Sequence, residues 1–332
     1  MFDPSSHLLL TGGTGFFGVA LLRHLKTWGR RAPRVTVLSR NPERFQVLYP
    51  DLARSVDWVC GDVLEPKSLP YLKRFSHVLH AATDSTAGPQ LTPLERYTQI
   101  VEGTRNVLEL ACSVGASRFL LTSSGGVYGT QPSWMDKIQE DYLGMPDPLN
   151  AVHVYGVAKR TAEHLCVLYQ QRSGLETVIA RCFAFVGDDL PLNVHFAIGN
   201  FIRDALSGQD VVVSGNGLSI RSYMYQEDLA HWLLTLLFQG RAGHAYNVGS
   251  DEAISIGELA HLIRDLISPN LSVQVRGAMD PWNGRHVYVP CIDKAKKELN
   301  LTLRHDLTQS IRKTVLGLRT RLISSDQRQP EN

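Results

Sequence analysis

Short, almost continuous apolar runs alternate with longer amphipathic stretches over the first 180 residues of the chain. Continuous apolar runs are typical of strands covered by helices on both faces, and apolar residues three or four positions apart indicate the helices themselves. The predicted strands are residues 7–11, 34–39, 56–60, 77–80, 118–122 and 177–181, and the predicted helices include 16–28, 93–114 and 152–173. This repeated order predicts an α/β fold with a doubly wound parallel sheet and right-handed crossovers.

The pattern changes after residue 181, where the predicted elements become shorter and more mixed. Helices are predicted at 196–206, 226–238, 255–267 and 307–322, and extended segments at 219–225, 245–248 and 287–290. We therefore predict a first domain over 1–181, a smaller C-terminal α/β lobe over 182–323, and a flexible polar tail over 324–332.

Composition adds few constraints. With 43% hydrophobic residues and a formal net charge of +2, the chain is typical of globular proteins and gives no indication of nucleic acid as a partner. The five cysteines lack CxxC spacing, and the most apolar segment, 232–238, is far shorter than the ~20 residues that span a bilayer. We expect a cytoplasmic protein without a membrane segment. His80, His153 and His195 lack the spacing of metal ligands, so no metal site is predicted.

A glycine-rich turn, Thr11-Gly12-Gly13-Thr14-Gly15-Phe16-Phe17-Gly18, follows the first predicted strand and opens the first predicted helix. Gly12 permits a tight turn, Gly15 lets the backbone approach a pyrophosphate, and Gly18 lets the helix pack close to the strand. Amide groups at the start of the helix complement phosphate charge. This context predicts a Rossmann dinucleotide site. The predicted cofactor contacts of the turn are Gly12, Thr14, Gly15, Phe16, Phe17 and Gly18.

The ends of the second and third predicted strands bear on the choice of dinucleotide. No carboxylate follows the second strand to accept from a ribose 2′-hydroxyl; Ser39 and Arg40 stand there instead and can both donate to a 2′-phosphate. This favours NADP over NAD. The alternative is that Arg40 is an ordinary exposed arginine on a loop, which is common. Asp62, followed by Val63, is placed to accept from the adenine amino group, or alternatively to cap the next turn.

Tyr155 and Lys159 are four residues apart on a predicted helix and therefore share one face. A free phenol, with a pKa near ~10, is a poor base at neutral pH, and a nearby ammonium favours the phenolate. Ser124 follows the fifth predicted strand, at the sheet edge where ligands bind in such folds. It is placed to hydrogen-bond the oxygen that Tyr155 protonates or deprotonates. By itself, a tyrosine–lysine pair is more often a surface feature.

These motifs together resemble the extended short-chain dehydrogenase/reductases, and most of all the nucleotide-sugar epimerases, dehydratases and reductases. The likeness includes residues 101–108, Gly125-Gly126-Val127-Tyr128-Gly129, 221–228 and 245–249. It implies Ser124, Tyr155 and Lys159 as the catalytic triad, Ala81 and Ala82 beside the cofactor, and Arg221 and Arg285 on the diphosphate of a nucleotide sugar. It also implies a homodimer formed through helices 93–114 and 152–173, although internal packing is an equal explanation for the apolar faces of these helices.

Four positions depart from the family pattern. Dehydratases of this family carry an Asp-Glu pair where this chain has Gly125-Gly126, so the sequence predicts against a 4,6-dehydratase. Ala184 and Ile100 stand where asparagine is frequent in the family, which predicts a different substrate pose.

The Ser39-Arg40 strand end favours an enzyme that consumes NADPH over one that retains NAD. The function hypothesis is therefore an NADPH-dependent reductase of a nucleotide-linked 4-keto-6-deoxyhexose, transferring hydride to C4. The alternatives are an NAD-dependent nucleotide-sugar 4-epimerase, a reductase of a non-sugar carbonyl, and a non-catalytic dinucleotide-binding protein.

Overall fold

The computed structural model describes residues 6–83, 90–194, 196–277 and 286–326. Its strands, in chain order, are β1 His7–Thr11, β2 Arg34–Ser39, β3 Asp57–Cys60, β4 His77–His80, β5 Arg118–Ser124, β6 Glu176–Cys182, β7 Phe185–Val186, β8 Val211–Val213, β9 Ile220–Arg221, β10 Met224–Tyr225, β11 Ala245–Val248, β12 Ile254–Ser255, β13 Val273–Val275 and β14 Val287–Tyr288. Its α-helices are α1 Phe16–Thr27, α2 Pro42–Leu48, α3 Pro50–Ala53, α4 Pro93–Ser113, α5 Val154–Ser173, α6 Ala197–Leu206, α7 Gln226–Gln239, α8 Ile256–Ile267, α9 Asp293–Leu299 and α10 Leu307–Asp326.

The centre of the molecule is a seven-stranded sheet in the order β11-β6-β5-β4-β1-β2-β3, and every pairing in it is parallel. The order reverses beside β1, since β2 and β3 lie on one side and β4, β5 and β6 on the other. A parallel sheet with such a switch point binds its ligands at the carboxyl edge of the strands. The predicted doubly wound α/β fold is confirmed.

Helices cover both faces of this sheet, which explains the continuous apolar runs. Leu8, Leu9 and Leu10 of β1 are all at most 1% exposed because the strand is buried on both sides. Helices α1 and α7 pack on one face and α4 and α5 on the other. The predicted dimer through α4 and α5 stays a prediction.

The residues after β6 build a second layer beside the sheet edge. Strand β7 pairs with β10, β8 with β13, and β9 lies between β12 and β14. Helices α6, α8 and α10 bury a separate apolar cluster against these strands. Strand β11 leaves this region and pairs with β6 as the seventh strand of the central sheet.

Most predicted bounds differ from the structure by two residues or fewer, and strand β5 is at that limit. Strand β5 continues through Ser123 and Ser124 because its pairing with β6 extends to Cys182. Helix α10 runs to Asp326, past the predicted residue 322. Arg285 and His195 lie outside the described residues. Within the described ranges, no helix combines the length and apolar character needed to cross a membrane.

Candidate active site

A cleft of about 1200 Å³ runs along the carboxyl edge of the sheet, between the strand ends and the second layer. It brings together most residues that the sequence nominates for the site. Those lining it are Gly12, Thr14, Gly15, Phe16, Phe17, Ser39, Arg40, Asp62, Val63, Ala81, Ala82, Ser124, Tyr155, Lys159 and Arg221. Gly18 lies beneath the lining instead, where a β-carbon would be 2.2 Å from the carbonyl carbon of Gly13.

The glycine turn has the geometry of a phosphate cradle. Gly12 has a φ of +74°, and a β-carbon there would lie 2.3 Å from the carbonyl oxygen of Ala81. At Gly15 the nearest atom to an added β-carbon is 3.6 Å away, so this residue faces open space. Gly15 precedes α1 without a side-chain cap. The turn therefore presents bare backbone and a helix N-terminus, which fits the pyrophosphate of a dinucleotide.

One end of the cleft is lined by the residues that follow strand β2. Arg44, in the first half of α2, lines the cleft together with Ser39 and Arg40. The Asn41 side chain caps α2 by accepting from the Arg44 amide at 3.1 Å, which fixes how the helix begins next to the strand end. Asp62 accepts from the Leu64 amide at 2.9 Å, as the capping alternative requires.

Charge in the cleft is strongly one-sided. Among its described lining residues, the cationic side chains are Arg40, Arg44, Arg96, Lys159 and Arg221, whereas Asp62 is the single carboxylate. An environment of this kind suits a ligand with several phosphates. No cluster of metal-ligating side chains occurs in the part of the chain that the structure describes.

The catalytic residues come from two adjoining elements. Ser124 ends β5, and Tyr155 and Lys159 lie one turn apart on α5, which packs against that strand. The Lys159 ammonium donates to the Thr122 carbonyl oxygen at 2.7 Å and to the Thr83 hydroxyl at 2.8 Å. The Ser124 hydroxyl oxygen accepts from the Gly126 amide at 3.0 Å.

Burial perturbs both titrating groups. It lowers the pKa of Lys159 to about 8 because the charged ammonium loses hydration. Burial also raises the pKa of the Tyr155 phenol, and this effect outweighs the opposing influence of Ser124 and of the nearby Arg96 cation. Tyr155 is thus a neutral hydrogen-bonding group that needs positive charge close to it before it can ionise.

The structure leaves no space for a side chain at Gly125. A β-carbon there would lie 2.6 Å from the hydroxyl oxygen of Tyr288 and 2.8 Å from the ring of Phe183. These two rings pack together with centroids 4.6 Å apart. An acidic side chain cannot occupy this position without displacing both rings, which agrees with the prediction against a 4,6-dehydratase.

Two other departures have different environments. Ile100 is 1% exposed and belongs to the core under α4, whereas Ala184 lines the cleft.

Arg221 on β9 donates to the carbonyl oxygens of Ile220 at 2.8 Å and of His286 at 2.9 Å, which orients its guanidinium along the second layer.

Among the cleft residues that sequence reasoning missed, four bear on the chemistry of the site: Arg44, Arg96, Phe183 and Tyr288. None of them belongs to a motif with a fixed spacing from the glycine turn or from Tyr155. Arg44 reaches the cleft through the turn between β2 and α2. Arg96, Phe183 and Tyr288 reach it through packing between segments far apart in the chain, and only a tertiary structure reveals that.

Comparison with known proteins identifies the family. The family model described as "NAD dependent epimerase/dehydratase family" matches residues 8–249. The chain belongs to this family. UDP-glucuronic acid decarboxylase 1 from Arabidopsis thaliana is 30% identical over 334 residues, covering 96% of this chain and 71% of the relative. The predicted membership of the extended short-chain dehydrogenase/reductases is thereby confirmed, and the protein is an enzyme of the NAD-dependent epimerase/dehydratase type.

Solved structures of the epimerase/dehydratase family share the fold. UDP-glucose 4-epimerase from Thermotoga maritima, solved with UDP-glucose, superposes with a TM-score of 0.82 at 20% identity, covering 95% of this chain and 99% of that one. The dTDP-glucose 4,6-dehydratase DesIV from Streptomyces venezuelae, solved with NAD, superposes with a TM-score of 0.81 at 23% identity, covering 95% and 97%.

Proposed function

We propose that the protein transfers hydride at C4 of a nucleotide sugar, as an NADPH-dependent reductase of a nucleotide-linked 4-keto-6-deoxyhexose. The observation that carries this proposal is the acid–base equipment of the cleft. Tyr155 and Ser124 can exchange a proton with one substrate oxygen, and the only carboxylate among the described lining residues, Asp62, belongs to the β3 end of the cleft.

Reactions that make or break bonds at C5 need more proton transfers than the described residues of this site support. Loss of water across C5 and C6 requires an acid and a base at the sugar, and loss of CO₂ from a C5 carboxylate requires a proton for the C5 carbanion. Gly125 and Gly126 provide no such group, and Tyr288 and Phe183 fill the space beside Gly125. Hydride transfer at C4 needs only one proton, at the C4 oxygen.

In this scheme each residue of the chain has a defined task. A bound nicotinamide would supply the hydride. Ser124 donates a hydrogen bond to the C4 oxygen, and Tyr155 gives that oxygen its proton as negative charge develops. Lys159, held between Thr122 and Thr83, provides positive charge beneath the phenol. Arg221 offers a donor fork to the diphosphate and fixes the sugar relative to Tyr155.

The preference for NADPH rests on Ser39, Arg40 and Arg44. Two guanidinium groups and a hydroxyl line the part of the cleft that follows β2, and no carboxylate follows that strand to accept from a 2′-hydroxyl. A 2′-phosphate would receive charge-assisted hydrogen bonds there, each contributing about 1.5–3 kcal/mol.

The test is to mix the purified protein with a nucleotide-linked 4-keto-6-deoxyhexose and either NADPH or NADH, and to follow loss of nicotinamide absorbance. We expect stoichiometric oxidation of NADPH and a lower KM for NADPH than for NADH. In the R40A/R44A double variant, which loses two such contacts, the KM for NADPH should rise by roughly 100-fold or more and that for NADH should change little. Arg54→Ala, an exposed arginine outside the cleft lining, is the control.

Two outcomes would contradict the proposal. Formation of the 4-epimer of UDP-glucose or UDP-N-acetylglucosamine without added cofactor would show an epimerase. Release of CO₂ from UDP-glucuronic acid without net use of NADPH would show the reaction named in the Arabidopsis relative.

A further inference from the structure

We propose that Arg96 is a second cation of the acid–base centre and stabilises the phenolate of Tyr155 jointly with Lys159. The inference rests on the proposed function in so far as Tyr155 is the group that exchanges the proton. Arg96 acts through Tyr155, so it is a positioning residue of the site.

The contact between the two side chains is direct. The Arg96 guanidinium lies over the Tyr155 ring, with its Cζ atom 4.6 Å from the ring centre. Arg96 projects from the first turns of α4, Tyr155 projects from the first turn of α5, and both line the cleft. A guanidinium over a phenol face is favourable already, and it becomes an ion pair when the phenol ionises.

The charge of Arg96 is uncompensated in the described part of the chain. Its Nε atom is buried and has no hydrogen-bond partner among the described residues. The neighbouring carboxylate, Glu95, is engaged elsewhere, because it accepts from the Thr92 amide at 2.8 Å and from the Thr92 hydroxyl at 2.7 Å. A buried donor without an acceptor costs free energy, so an otherwise unexplained cation at this position indicates a task in the site.

The groups that face Tyr155 come from every element around it. Lys159 on α5 has its Nζ atom 6.0 Å from the ring centre, and Arg96 on α4 is nearer. Among the other described residues, Ser124 on β5, Cys182 on β6 and Tyr288 on β14 also lie close to it. Burial raises the pKa of the Cys182 thiol and of the Tyr288 phenol, so both remain neutral. Among the described residues around Tyr155, Arg96 and Lys159 are therefore the two cations that can favour the phenolate.

The two cations differ in how they respond to pH. Lys159 is buried and has a pKa of about 8, so it loses its charge as the solution becomes mildly alkaline. A guanidinium does not deprotonate under these conditions. Arg96 therefore maintains a positive charge against the Tyr155 ring over the pH range in which Lys159 becomes neutral.

The direct test is a carbon-13 NMR titration of the full-length protein labelled at the Cζ atom of tyrosine, in the absence of substrate. Tyr155→Phe assigns the Tyr155 signal among the 11 tyrosines. We expect R96Q to move the Tyr155 titration to higher pH by about one unit, and R96K to keep most of the wild-type value. Arg105→Gln is the control, because Arg105 lies on the same helix, 56% exposed and paired with Glu102.

Equal titration of Tyr155 in wild type and R96Q would overturn the inference. So would a Tyr155 that stays neutral in both proteins up to the highest pH at which the fold persists. Thermal unfolding of R96Q establishes that the variant is folded before its titration is read.

An activity measurement separates this inference from the proposed function. In the reducing direction Tyr155 acts as an acid, so kcat/KM falls as it ionises, and R96Q should move that falling limb to higher pH. A weaker acid should also lower kcat by up to about tenfold, with the KM for NADPH unchanged. If the NMR shift occurs but no nucleotide-linked ketone is reduced, the proposed function fails and the role of Arg96 stands.

Discussion

Gly12 and Gly15 are three residues apart in the same turn, yet the structure predicts opposite consequences for adding one methyl group to each. Gly12→Ala should destabilise the fold. An L-residue at a φ of +74° costs about 1–2 kcal/mol, and the new β-carbon would lie 2.3 Å from the Ala81 carbonyl oxygen and 2.8 Å from the Ala82 amide nitrogen. Because both neighbours are backbone, relieving the overlap requires movement after β4, which adds about 1–3 kcal/mol. The total loss is roughly 2–5 kcal/mol, a large part of an ordinary domain stability of about 5–15 kcal/mol.

Gly15→Ala should leave the fold nearly intact. Gly15 has a φ of −87°, which alanine adopts without strain, and its nearest new contact is an ordinary 3.6 Å. The methyl group would instead project into the space where a pyrophosphate approaches the backbone. We expect a stability change within about 1 kcal/mol and at least a tenfold weaker affinity for the dinucleotide.

Urea unfolding without ligand measures the first effect, and NADPH titration by fluorescence measures the second. The midpoint for Gly12→Ala should fall without a change in slope. The reasoning would be refuted if Gly15→Ala were the less stable of the two variants, or if it bound the dinucleotide as tightly as wild type.

Three further predictions concern groups around the site. Glu163→Ala should lower the free energy of unfolding in urea by about 3–5 kcal/mol, because it leaves the Arg181 guanidinium buried without its carboxylate. Glu163→Gln should lower it by less, and equal losses in the two variants would contradict this. Gly125→Ala should lower the free energy of unfolding by about 1–3 kcal/mol, and adding Tyr288→Phe to the same chain should restore part of this loss. If the effects of the two substitutions were simply additive, the predicted overlap between the new β-carbon and the Tyr288 hydroxyl would be excluded. Burial lowers the pKa of His80 to about 3, so below pH 6.5 the unfolded chain binds a proton that the folded chain does not, and the free energy of unfolding falls on acidification. The difference in free energy of unfolding between wild type and His80→Gln should therefore shrink by about 2 kcal/mol between pH 7 and pH 5. A difference that stays constant would contradict this.

The central sheet could be predicted from the sequence because its strands are buried on both faces. For β1, β2 and β4 the apolar run and the strand coincide, and their bounds are those predicted. The extension of β5 through Ser123 and Ser124 could not be predicted, since polar residues there are retained by pairing with β6 and not by apolar burial. Two-residue strands such as β7 and β12 are too short to show a period of two.

The same distinction applies to the candidate site. The glycine turn and the Tyr155–Lys159 pair are local motifs, so spacing alone identifies them. Tyr288 is 163 residues beyond Gly125, and the contact between them depends on β14 pairing with β9. Arg96 meets Tyr155 only because α4 and α5 pack side by side on the sheet. Neither contact has a signature in the sequence.

The close approach of Gly12 to Ala81 and Ala82 has a consequence for how the enzyme matures. The turn owes its shape to the end of β1 and to the end of β4, some 70 residues later, so neither segment forms the cradle by itself. A nascent or partly refolded chain has no binding surface for the dinucleotide until these two strands are paired. The ligand therefore cannot template the early stages of folding; it can only slow the reverse reaction by stabilising chains that have already assembled the sheet. Excess dinucleotide should lengthen the lifetime of the native enzyme while leaving its refolding rate unchanged.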